Sequence, residues 1–385
     1  MSRLRKLFRF AGLYGWQRTL TKTIARNRRL TRWLPTHLPN TGKADVSVIG
    51  CGQFAFSTVC FFLRKHMKNR FLSAYDPDVF QRQSLGRYYG FRQAASTPNA
   101  LLTEPGLRVL YVLSNHASHT PYAVAGLDRG LTVYIEKPVA ISWQQLVALS
   151  AAQRRSTGQL VAGYNRPYAP AIQTLRERVR AMPNTGSFVL TMHINGHAIA
   201  TDHWYRHPAE GSRICGNLGH WIDLTLHVWH WRSLPNWIDV RLTCARAAEP
   251  DDSLCLTLTT DHHDLATIVL TSQTEPFEGV CEYINVQYGN LIARIDDFRS
   301  LTCWQGPHRQ TIRYQPKNLG HERTVLQPFR PNNREWREVE LSSLLMLHVY
   351  DMLLTGAEVS RFVIADQYAC FEQAVNEVNN CPIPF

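Results

Sequence analysis

The stretch "ADVSVIGCGQFAFSTVCFFLRKHM" joins a short β-branched run to a glycine-rich turn and a helical pattern. The run Val46 to Ile49 is typical of a buried strand, and the pattern after it predicts a helix from about Gln53 to His66. Three more apolar strands follow, "FLSAYD", "RVLYVLS" and "LTVYIE", with helical "PYAVAGLDRG" between the last two. Strands that alternate with helices at this spacing form βαβ units, so we predict a parallel, doubly wound sheet.

The pattern of apolar and polar residues changes after about residue 162. Long runs with alternating apolar and polar residues follow, among them "GSFVLTMHING", "WIDVRLTCARA" and "EYINVQYGNLIARIDDF". Alternation of this kind is typical of antiparallel strands with one buried face. The second half therefore predicts a separate domain with a largely antiparallel, open sheet.

The turn "GCGQFA" has the spacing of a dinucleotide-binding loop. Gly50 permits the tight turn, Gly52 lets the backbone approach a pyrophosphate, and Ala55 allows close packing of helix on strand. The amides at the start of the helix would face the phosphates. Asp76 ends the next strand, where a carboxylate can bind the ribose hydroxyls and would repel a 2′-phosphate. This predicts NAD(H), with NADP(H) less favoured, although Asp76 alone would also fit an ordinary turn before Pro77.

A second motif is "LTVYIEKPVA", in which a strand ends in Glu136, Lys137 and Pro138. The strand ends of a doubly wound sheet line the ligand crevice. A lysine there can stabilise negative charge on a substrate oxygen and help to relay its proton. Taken alone, the motif would fit a surface Glu-Lys pair better.

The segment "SRICGNLGHWIDLTLHVW" offers a partner for Lys137. If Cys215 to Trp229 is helical, Asn217 and His220 are three residues apart and share a face. His220 is then the natural general base, since an imidazole titrates near neutral pH. The alternative is a structural pair of His220 and Asp223 beneath an aromatic cluster, with Asp223 orienting the helix or the imidazole.

Length and composition exclude several classes of protein. A chain of 385 residues can form two domains with a sizeable core. No apolar run reaches the roughly 18 residues that a membrane span needs. The nine cysteines are scattered, without a Cys-x-x-Cys pair, which disfavours a disulfide framework or a zinc site. We therefore expect a cytoplasmic protein that holds no metal.

The formal charge of +12 is concentrated at the N-terminus. Residues 1–40 contain ten Lys or Arg and no acid, so the remaining chain carries only +2, which argues against a nucleic-acid-binding body. Three interpretations of this segment stay open: a helical arm packed on the protein, a basic amphipathic surface for peripheral contact with an anionic membrane, and a transit peptide. The packed arm is favoured, because charge runs are usually solvated faces.

Together these stretches resemble the glucose-fructose oxidoreductase, inositol dehydrogenase and rhizopine catabolism family, Gfo/Idh/MocA, in order over residues 44 to about 380. "VSVIGCGQFA" is similar to its nucleotide loop, "SNHASHTPYAVAGLDRGLTVYIEKPVA" to its nicotinamide-side segment, and "GYNRPYAPAI" to its domain junction. The stretch "NGHAIATDHWYRHPAEGSRICGNLGHWIDL" looks most like members from surface-polysaccharide or nucleotide-sugar metabolism.

We therefore divide the chain into a basic N-terminal arm (1–43), a Rossmann NAD-binding domain (44–162) and a C-terminal substrate and oligomerisation domain (163–385) whose last helices can pack back on the first. The resemblance implies Lys137 and His220 as the catalytic pair, with Asn217 beside them. The cofactor-binding residues expected are Gly50, Gly52, Gln53, Phe54, Asp76, Ser114, Asn115, His119, Glu136 and Lys137. The residues that the resemblance places near the substrate are Arg166, His203, Trp204 and Arg213.

The chain departs from the family pattern at one position. Many relatives have a carboxylate one turn before the histidine, whereas this chain has Gly216 and Asn217 there. An amide can position a hydroxyl but cannot hold its proton, so proton transfer would rest on His220 and Lys137. The expected activity is an NAD(P)-dependent dehydrogenase acting on the hydroxyl or keto carbon of a sugar, cyclitol or nucleotide-sugar, in a homo-oligomer. The alternative is a catalytically impaired nucleotide-binding scaffold associated with polysaccharide enzymes.

Overall fold

The computed structural model describes residues 3–34, 43–68, 70–183, 186–245, 249–274 and 279–380, without the side chains of Arg3, Leu4 and Lys6. The end of the predicted arm, residues 35–42, lies outside this range. The predicted fold class is confirmed: a six-stranded parallel sheet is followed by a nine-stranded, mostly antiparallel sheet.

The N-terminal arm consists of two helices, α1 (Arg3–Tyr14) and α2 (Trp16–Arg26), and a 3-10 turn, Arg28–Arg32. Gly15, with φ of 82°, separates the two helices. Phe10, Ile24 and Ala25 are buried. Ile24 and Ala25 join a core cluster that includes β1 of the first sheet. The arm thus lies packed against the first domain.

The parallel sheet has the strand order β3-β2-β1-β4-β5-β6. Five of its strands are short, apolar and largely buried, as the sequence runs predict: β1 (Val46–Ile49), β2 (Phe71–Tyr75), β4 (Val109–Val112), β5 (Thr132–Ile135) and β6 (Leu160–Ala162). The edge strand β3 (Gln93–Ala94) is exposed. The connecting helices are α3 (Cys60–Met67), α4 (Val79–Tyr89), α5 (Pro98–Leu102), α6 (His116–Leu127) and α7 (Trp143–Arg155). A π-helical segment, Ala55–Val59, precedes α3 within the predicted helix.

The second sheet has the order β14-β13-β12-β11-β7-β10-β9-β8-β15, and its one parallel pair is β7 with β10. From β7 to β13 its strands alternate buried and less buried residues, as amphipathic strands do, whereas most residues of the two edge strands are exposed or partly exposed. The strands of this sheet are β7 (Phe188–Asn195), β8 (Trp237–Cys244), β9 (Ser253–Thr260), β10 (Leu265–Thr271), β11 (Cys281–Tyr288), β12 (Leu291–Asp296), β13 (Ser300–Gln305), β14 (His308–Arg313) and β15 (Val359–Val363).

The remaining helices connect the two domains. They are α8 (Pro170–Arg180), α9 (Gly219–Trp229), α10 (His321–Val325), α11 (Trp336–Thr355) and α12 (Ile364–Asn380). Every residue of α9 is buried. The last helix, α12, packs against α7 of the first domain. There Arg154 Nη1 lies 2.6 Å from Glu372 Oε2, and the ring centroids of Trp143 and Phe371 are 5.7 Å apart.

A buried ion pair joins α9 to the start of α11. The Asp223 carboxylate is fully buried and accepts two hydrogen bonds of 2.9 Å from Arg334, and a third of 2.9 Å from Ser342 Oγ. Asp223 therefore fixes the helix. It does not orient the imidazole of His220, because these partners lie on α11 and the segment before it. In the described part of the chain, no helix is both long and apolar enough to cross a membrane.

Candidate active site

A cleft of about 750 Å³ lies at the carboxyl ends of the strands of the parallel sheet, where the C-terminal domain covers them. Crevices at this edge are the usual ligand sites of doubly wound sheets. Twelve of the residues singled out in the sequence line it: Gly50, Gly52, Gln53, Phe54, Asp76, Ser114, Asn115, His119, Glu136, Lys137, Trp204 and His220.

The glycine loop has the geometry that a dinucleotide requires. Gly50 has a φ of +91°, and a side chain there would overlap the backbone of Leu113. A Cβ at Gly52 would meet no atom of the described residues within 4 Å, so the cleft is open on this side of the loop. The Asp76 carboxylate accepts a 2.7 Å hydrogen bond from the amide of Cys51 and remains on the cleft wall. These residues fit a bound dinucleotide.

The ammonium group of Lys137 lies at the end of β5 and donates a 2.8 Å hydrogen bond to the carbonyl oxygen of Gly216. The Lys137–Pro138 peptide bond is cis. The neighbouring Glu136 accepts a 2.9 Å hydrogen bond from the Tyr134 hydroxyl. Burial lowers the pKa of Lys137, and the Glu136 carboxylate partly offsets this effect. Burial likewise raises the pKa of Glu136. Lys137 is thus a partly buried cation on the cleft wall.

His220 presents an unsatisfied polar atom in the same cleft. Its Nδ1 is buried, and no described residue hydrogen-bonds to it. Burial lowers the pKa of His220 well below its usual value, and the nearby charges of Arg166 and Lys137 add to the effect. The imidazole is therefore neutral at neutral pH. A neutral ring with a vacant nitrogen can accept a proton or a hydrogen bond from a substrate.

Two further residues of the cleft escaped the sequence analysis, Tyr205 and His116. A Cβ at Gly216 would overlap the Tyr205 hydroxyl and the His116 ring. Burial raises the pKa of Tyr205, so the phenol stays protonated and is a hydrogen-bond donor. Burial lowers the pKa of His116 to about 3, and its ring lies edge-on to Tyr205 with centroids 4.7 Å apart. These two rings occupy the space that a side chain at position 216 would need.

The Glu210 carboxylate connects the two domains beside the cleft. Glu210 is buried, and its side chain accepts hydrogen bonds from Asn115 Nδ2 (2.6 Å) and from the amide of Ala117 (3.2 Å). This places a negative charge at the amino end of α6, where the helix dipole favours it. His119 contributes within the first domain, where its ring nitrogens lie 2.8 Å from Pro138 O and 3.0 Å from Ser114 O. The only sequence signal for the role of Glu210 is the cluster "HWYRHPAEG".

Asn217 does not line the cleft, contrary to the expectation that it shares a face with His220. Ile214–Leu218 is a π-helical segment, whose wider turn rotates Asn217 relative to α9. The Asn217 side-chain oxygen instead faces Arg213 Nη1 at 3.5 Å. The amide therefore lies outside the group formed by Lys137 and His220.

Three residues expected near the substrate also lie outside the cleft lining. Arg166 is buried, and its guanidinium donates two hydrogen bonds of 2.7 Å to Glu282. Arg213 is buried and donates to Asp252 at 2.8 Å and to the carbonyl oxygen of His197. His203 is exposed and accepts a hydrogen bond from the amide of Tyr205. In this conformation the guanidinium groups of Arg166 and Arg213 therefore bind partners within the protein.

Residues 44–164 match the oxidoreductase family described as having an NAD-binding Rossmann fold, GFO_IDH_MocA. Among curated proteins, a putative UDP-kanosamine synthase oxidoreductase subunit from Amycolatopsis mediterranei is 31% identical over 140 residues, which are 36% of this chain and 37% of that protein. D-glucoside 3-dehydrogenase from Escherichia coli is 26% identical over 134 residues, 35% of this chain and 38% of that protein. The chain thus spans less than two fifths of the length of these relatives.

Solved structures match over both domains. GenD2 from gentamicin A biosynthesis, solved in complex with NAD, superposes with a TM-score of 0.69 at 18% identity, covering 86% of this chain and 99% of GenD2. The WlbA dehydrogenase from Chromobacterium violaceum, solved with NADH and UDP-GlcNAcA, gives a TM-score of 0.68 at 15% identity, covering 86% of this chain and 99% of that one. At such identities the likeness establishes the shared fold.

Proposed function

The chain belongs to the Gfo/Idh/MocA oxidoreductase family, and from this premise we propose that it is an NAD(H)-dependent dehydrogenase of a sugar, cyclitol or nucleotide-sugar. One observation carries the proposal. Lys137 and His220, whose Nδ1 has no hydrogen-bond partner among the described residues, both line the cleft that the glycine loop opens into. A cation and a neutral proton acceptor in one cleft are what exchange between a hydroxyl and a keto group requires.

In the proposed reaction the residues of the chain bind, orient and move a proton. A nicotinamide dinucleotide, held by the Gly50 loop and Asp76, supplies the hydride chemistry when bound. Lys137 stabilises the negative charge on the substrate oxygen, and His220 accepts the hydroxyl proton during oxidation and returns it during reduction. Tyr205 donates a hydrogen bond that orients the substrate.

Nucleotide-sugars are included as substrates because of two similar proteins. One is named for a UDP-sugar activity, and the other was solved with UDP-GlcNAcA bound. A role in polysaccharide or sugar metabolism belongs to the same proposal. The preference for NAD(H) rests on the position of Asp76, which directly follows β2 and lines the cleft.

The experiment has two steps. Mass spectrometry of nucleotide that co-purifies with the protein identifies the cofactor, and a panel of nucleotide-sugars, sugars and cyclitols is then screened with NAD⁺ by NADH absorbance. We expect bound NAD(H) and turnover of at least one member. A protein that binds no dinucleotide would overturn the proposal.

The catalytically impaired scaffold remains a second candidate because of Gly216. The position one turn before His220 has no carboxylate, and the rings of Tyr205 and His116 fill its place. Tight NAD(H) binding without turnover of any member of the panel, in either direction, would favour the scaffold.

A further inference from the structure

Arg28, in the N-terminal arm, lies directly behind the glycine loop. Its Nη2 donates hydrogen bonds to the carbonyl oxygens of Cys51 at 2.7 Å and Gly52 at 3.0 Å. Its Nε donates to Ala25 O at 3.2 Å, and its guanidinium carbon lies 4.0 Å from the centroid of the Phe56 ring. The residue is only 5% exposed. A buried, fully engaged arginine of the arm thus holds two successive carbonyls of the loop.

These contacts determine where the loop amides point. The C=O and N–H groups of a planar trans peptide point in opposite directions. Because the carbonyls of Cys51 and Gly52 face Arg28, the amides of Gly52 and Gln53 face away from it. Gly52 and Gln53 line the cleft on the other side of the loop. Amides directed in this way at the start of a helix bind phosphate oxygens.

The backbone of Cys51 is held from two sides. Its N–H donates to the Asp76 carboxylate at 2.7 Å, and its carbonyl oxygen accepts from Arg28 at 2.7 Å. Asp76 is the residue expected to bind the ribose, so one residue, with a peptide bond on either side, links the arm to the ribose end of the site. Burial lowers the pKa of Arg28 to about 10, which leaves the guanidinium charged at neutral pH behind the place where phosphates would bind.

We propose that Arg28 is a positioning residue for the dinucleotide and that the arm is thereby a part of the cofactor site. The arm precedes residue 44, where the match to the family begins, so this contribution is a property of this chain rather than of the matched domain. The proposal rests on dinucleotide binding, the first half of the proposed function. It also gives the packed arm a role that its charge alone does not predict.

The test is a titration of NADH with the full chain and its Arg28→Ala and Arg28→Lys variants, followed by protein-to-NADH energy transfer. We expect Arg28→Ala to weaken NADH binding about tenfold or more, the usual consequence of losing hydrogen bonds to a charged group. Arg28→Lys should recover part of the affinity, since it keeps the charge but can engage the carbonyls less well.

Arg18→Ala is the matched control. Arg18 is another arm arginine that stacks on aromatic rings, with its guanidinium 5.6 Å from the Tyr14 centroid and 5.1 Å from that of Phe62. It should lower the melting temperature without changing NADH affinity. An Arg28→Ala variant that binds NADH like the parent, or an Arg18→Ala variant that loses as much affinity, would show that the arm only stabilises the fold. A parent that binds no dinucleotide instead refutes the proposed function as well.

A different observation, the exposed apolar side chains of the arm, carries a second inference. Five large apolar side chains of the arm are exposed: Phe8 (60%), Trp16 (57%), Leu20 (62%), Leu30 (39%) and Trp33 (87%). We call this set the outer face. The rings of Phe8 and Trp16 are in contact, with centroids 5.4 Å apart, and Leu20 follows one helical turn after Trp16. Exposed clusters of this kind usually mark interaction sites.

The positive charge of the arm indicates what kind of partner the outer face can bind. The exposed arginines Arg26, Arg29 and Arg32 belong to the same arm, which has no acidic residue in positions 1–40. A second copy of the chain would bring like charges together, so self-association through this face is disfavoured. Aromatic and basic side chains presented together suit the headgroup region of an anionic membrane. We infer that the outer face binds anionic lipid surfaces.

The test is sedimentation of the full chain with vesicles of phosphatidylcholine, with or without phosphatidylglycerol. We expect binding only to vesicles with phosphatidylglycerol, and release as salt is raised. The double variant Arg29→Gln/Arg32→Gln should bind about 30-fold more weakly, from about 1 kcal/mol for each basic residue at the surface. Trp16→Ala/Trp33→Ala should also release the protein.

Two controls accompany these variants. Arg241→Gln/Arg309→Gln removes the same charge from exposed positions on the nine-stranded sheet, and Leu354→Ala removes an exposed apolar side chain on α11. Both should bind like the parent. Equal binding to neutral vesicles, stronger binding to duplex DNA than to lipid, or a change of oligomeric state in the Trp16→Ala/Trp33→Ala variant would overturn the inference.

Discussion

The ammonium group of Lys137 donates its 2.8 Å hydrogen bond to the backbone carbonyl of Gly216, one helical turn before His220. The end of β5 in one domain and the segment before α9 in the other therefore meet at a backbone atom, which no substitution at position 216 removes. The arrangement keeps a cation in place although the chain lacks a carboxylate at this turn. Because residue 216 is a glycine, the phenol of Tyr205 can occupy the space next to it.

Replacing either Lys137 or His220 by Ala should abolish most of the activity and leave NAD binding largely intact. Each substitution should lower kcat about a hundredfold or more, the usual scale for a positioned acid–base or charge-stabilising group. The measurement is steady-state turnover on an active substrate, together with NADH titration. A substrate whose turnover survives both substitutions would show that this mechanism is wrong.

A side chain at Gly216 should damage both stability and activity. In Gly216→Ala the added methyl group would overlap the Tyr205 hydroxyl, so the expected loss is about 1–3 kcal/mol in the free energy of unfolding. Gly12→Ala is the control, since a Cβ there meets no described atom within 4 Å and alanine favours a helix. Denaturant titration distinguishes them: equal effects on stability would contradict the predicted overlap.

The preference for NAD(H) should depend on Asp76. Asp76→Ser removes the negative charge that would repel a 2′-phosphate, so the ratio of NAD(H) to NADP(H) affinity should fall toward one. The comparison is Asp78→Ser, which removes a charge two residues away while serine can still cap α4, as Asp78 does now. Equal affinities for both cofactors in the parent protein would remove the basis of the prediction.

The free energy of unfolding should fall as the pH is lowered from about 7 to 5. Burial lowers the pKa values of His116, His119, His220, His227, His321 and His348 in the folded protein. Below the ordinary imidazole pKa near 6.5, the unfolded chain binds protons that the folded chain does not, so acid favours unfolding.

Urea titrations at several pH values measure this slope. His348→Leu should make it shallower by up to about 1.4 kcal/mol per pH unit, because one imidazole no longer takes up a proton on unfolding. His308→Leu changes an exposed histidine of β14 and should leave the slope as it is. A stability that is constant between pH 7 and 5 would contradict the buried, neutral state of these rings.

Arg334→Met should destabilise the protein by about 3–5 kcal/mol, because it leaves the fully buried Asp223 carboxylate without its ionic partner. Arg361→Met is the matched change on the surface. It breaks the exposed pair with Asp239 and should change the free energy of unfolding far less, because water screens an exposed ion pair. Thermal and chemical denaturation of both variants provide the comparison, and similar losses would argue against a structural role for the Asp223–Arg334 pair.

The fold and the cofactor side of the cleft could be predicted because their signals are local. The strand before Gly50, the turn and the helix are contiguous, and Asp76 and Lys137 each end an apolar run. The catalytic side could not be predicted to the same extent. His116 and Tyr205 meet across about ninety residues of sequence, and neither lies in a motif that indicates the contact.

Where the structure places residues differently from these predictions, the physical causes are specific. Arg166 is next to a recognisable motif, but its guanidinium is bound by Glu282, 116 positions away, and no local pattern shows that partner. Asn217 was placed by α-helical spacing, whereas the segment is π-helical. The arm was recognised from its charge, yet the contact of Arg28 with the glycine loop depends on a single inward-facing arginine among ten basic residues.

The packing of α12 against α7 has a consequence for synthesis on the ribosome. The helix α7 ends at Arg155, and its partner residues Phe371 and Glu372 are translated more than two hundred residues later. The Tyr111 hydroxyl of β4 likewise donates to Val325 O, and Gln327 donates to Ala162 O. The nascent N-terminal domain therefore emerges with surface that these later segments cover in the folded protein. Until they are translated, its apolar part is open to the contacts that chaperones make with incompletely folded chains.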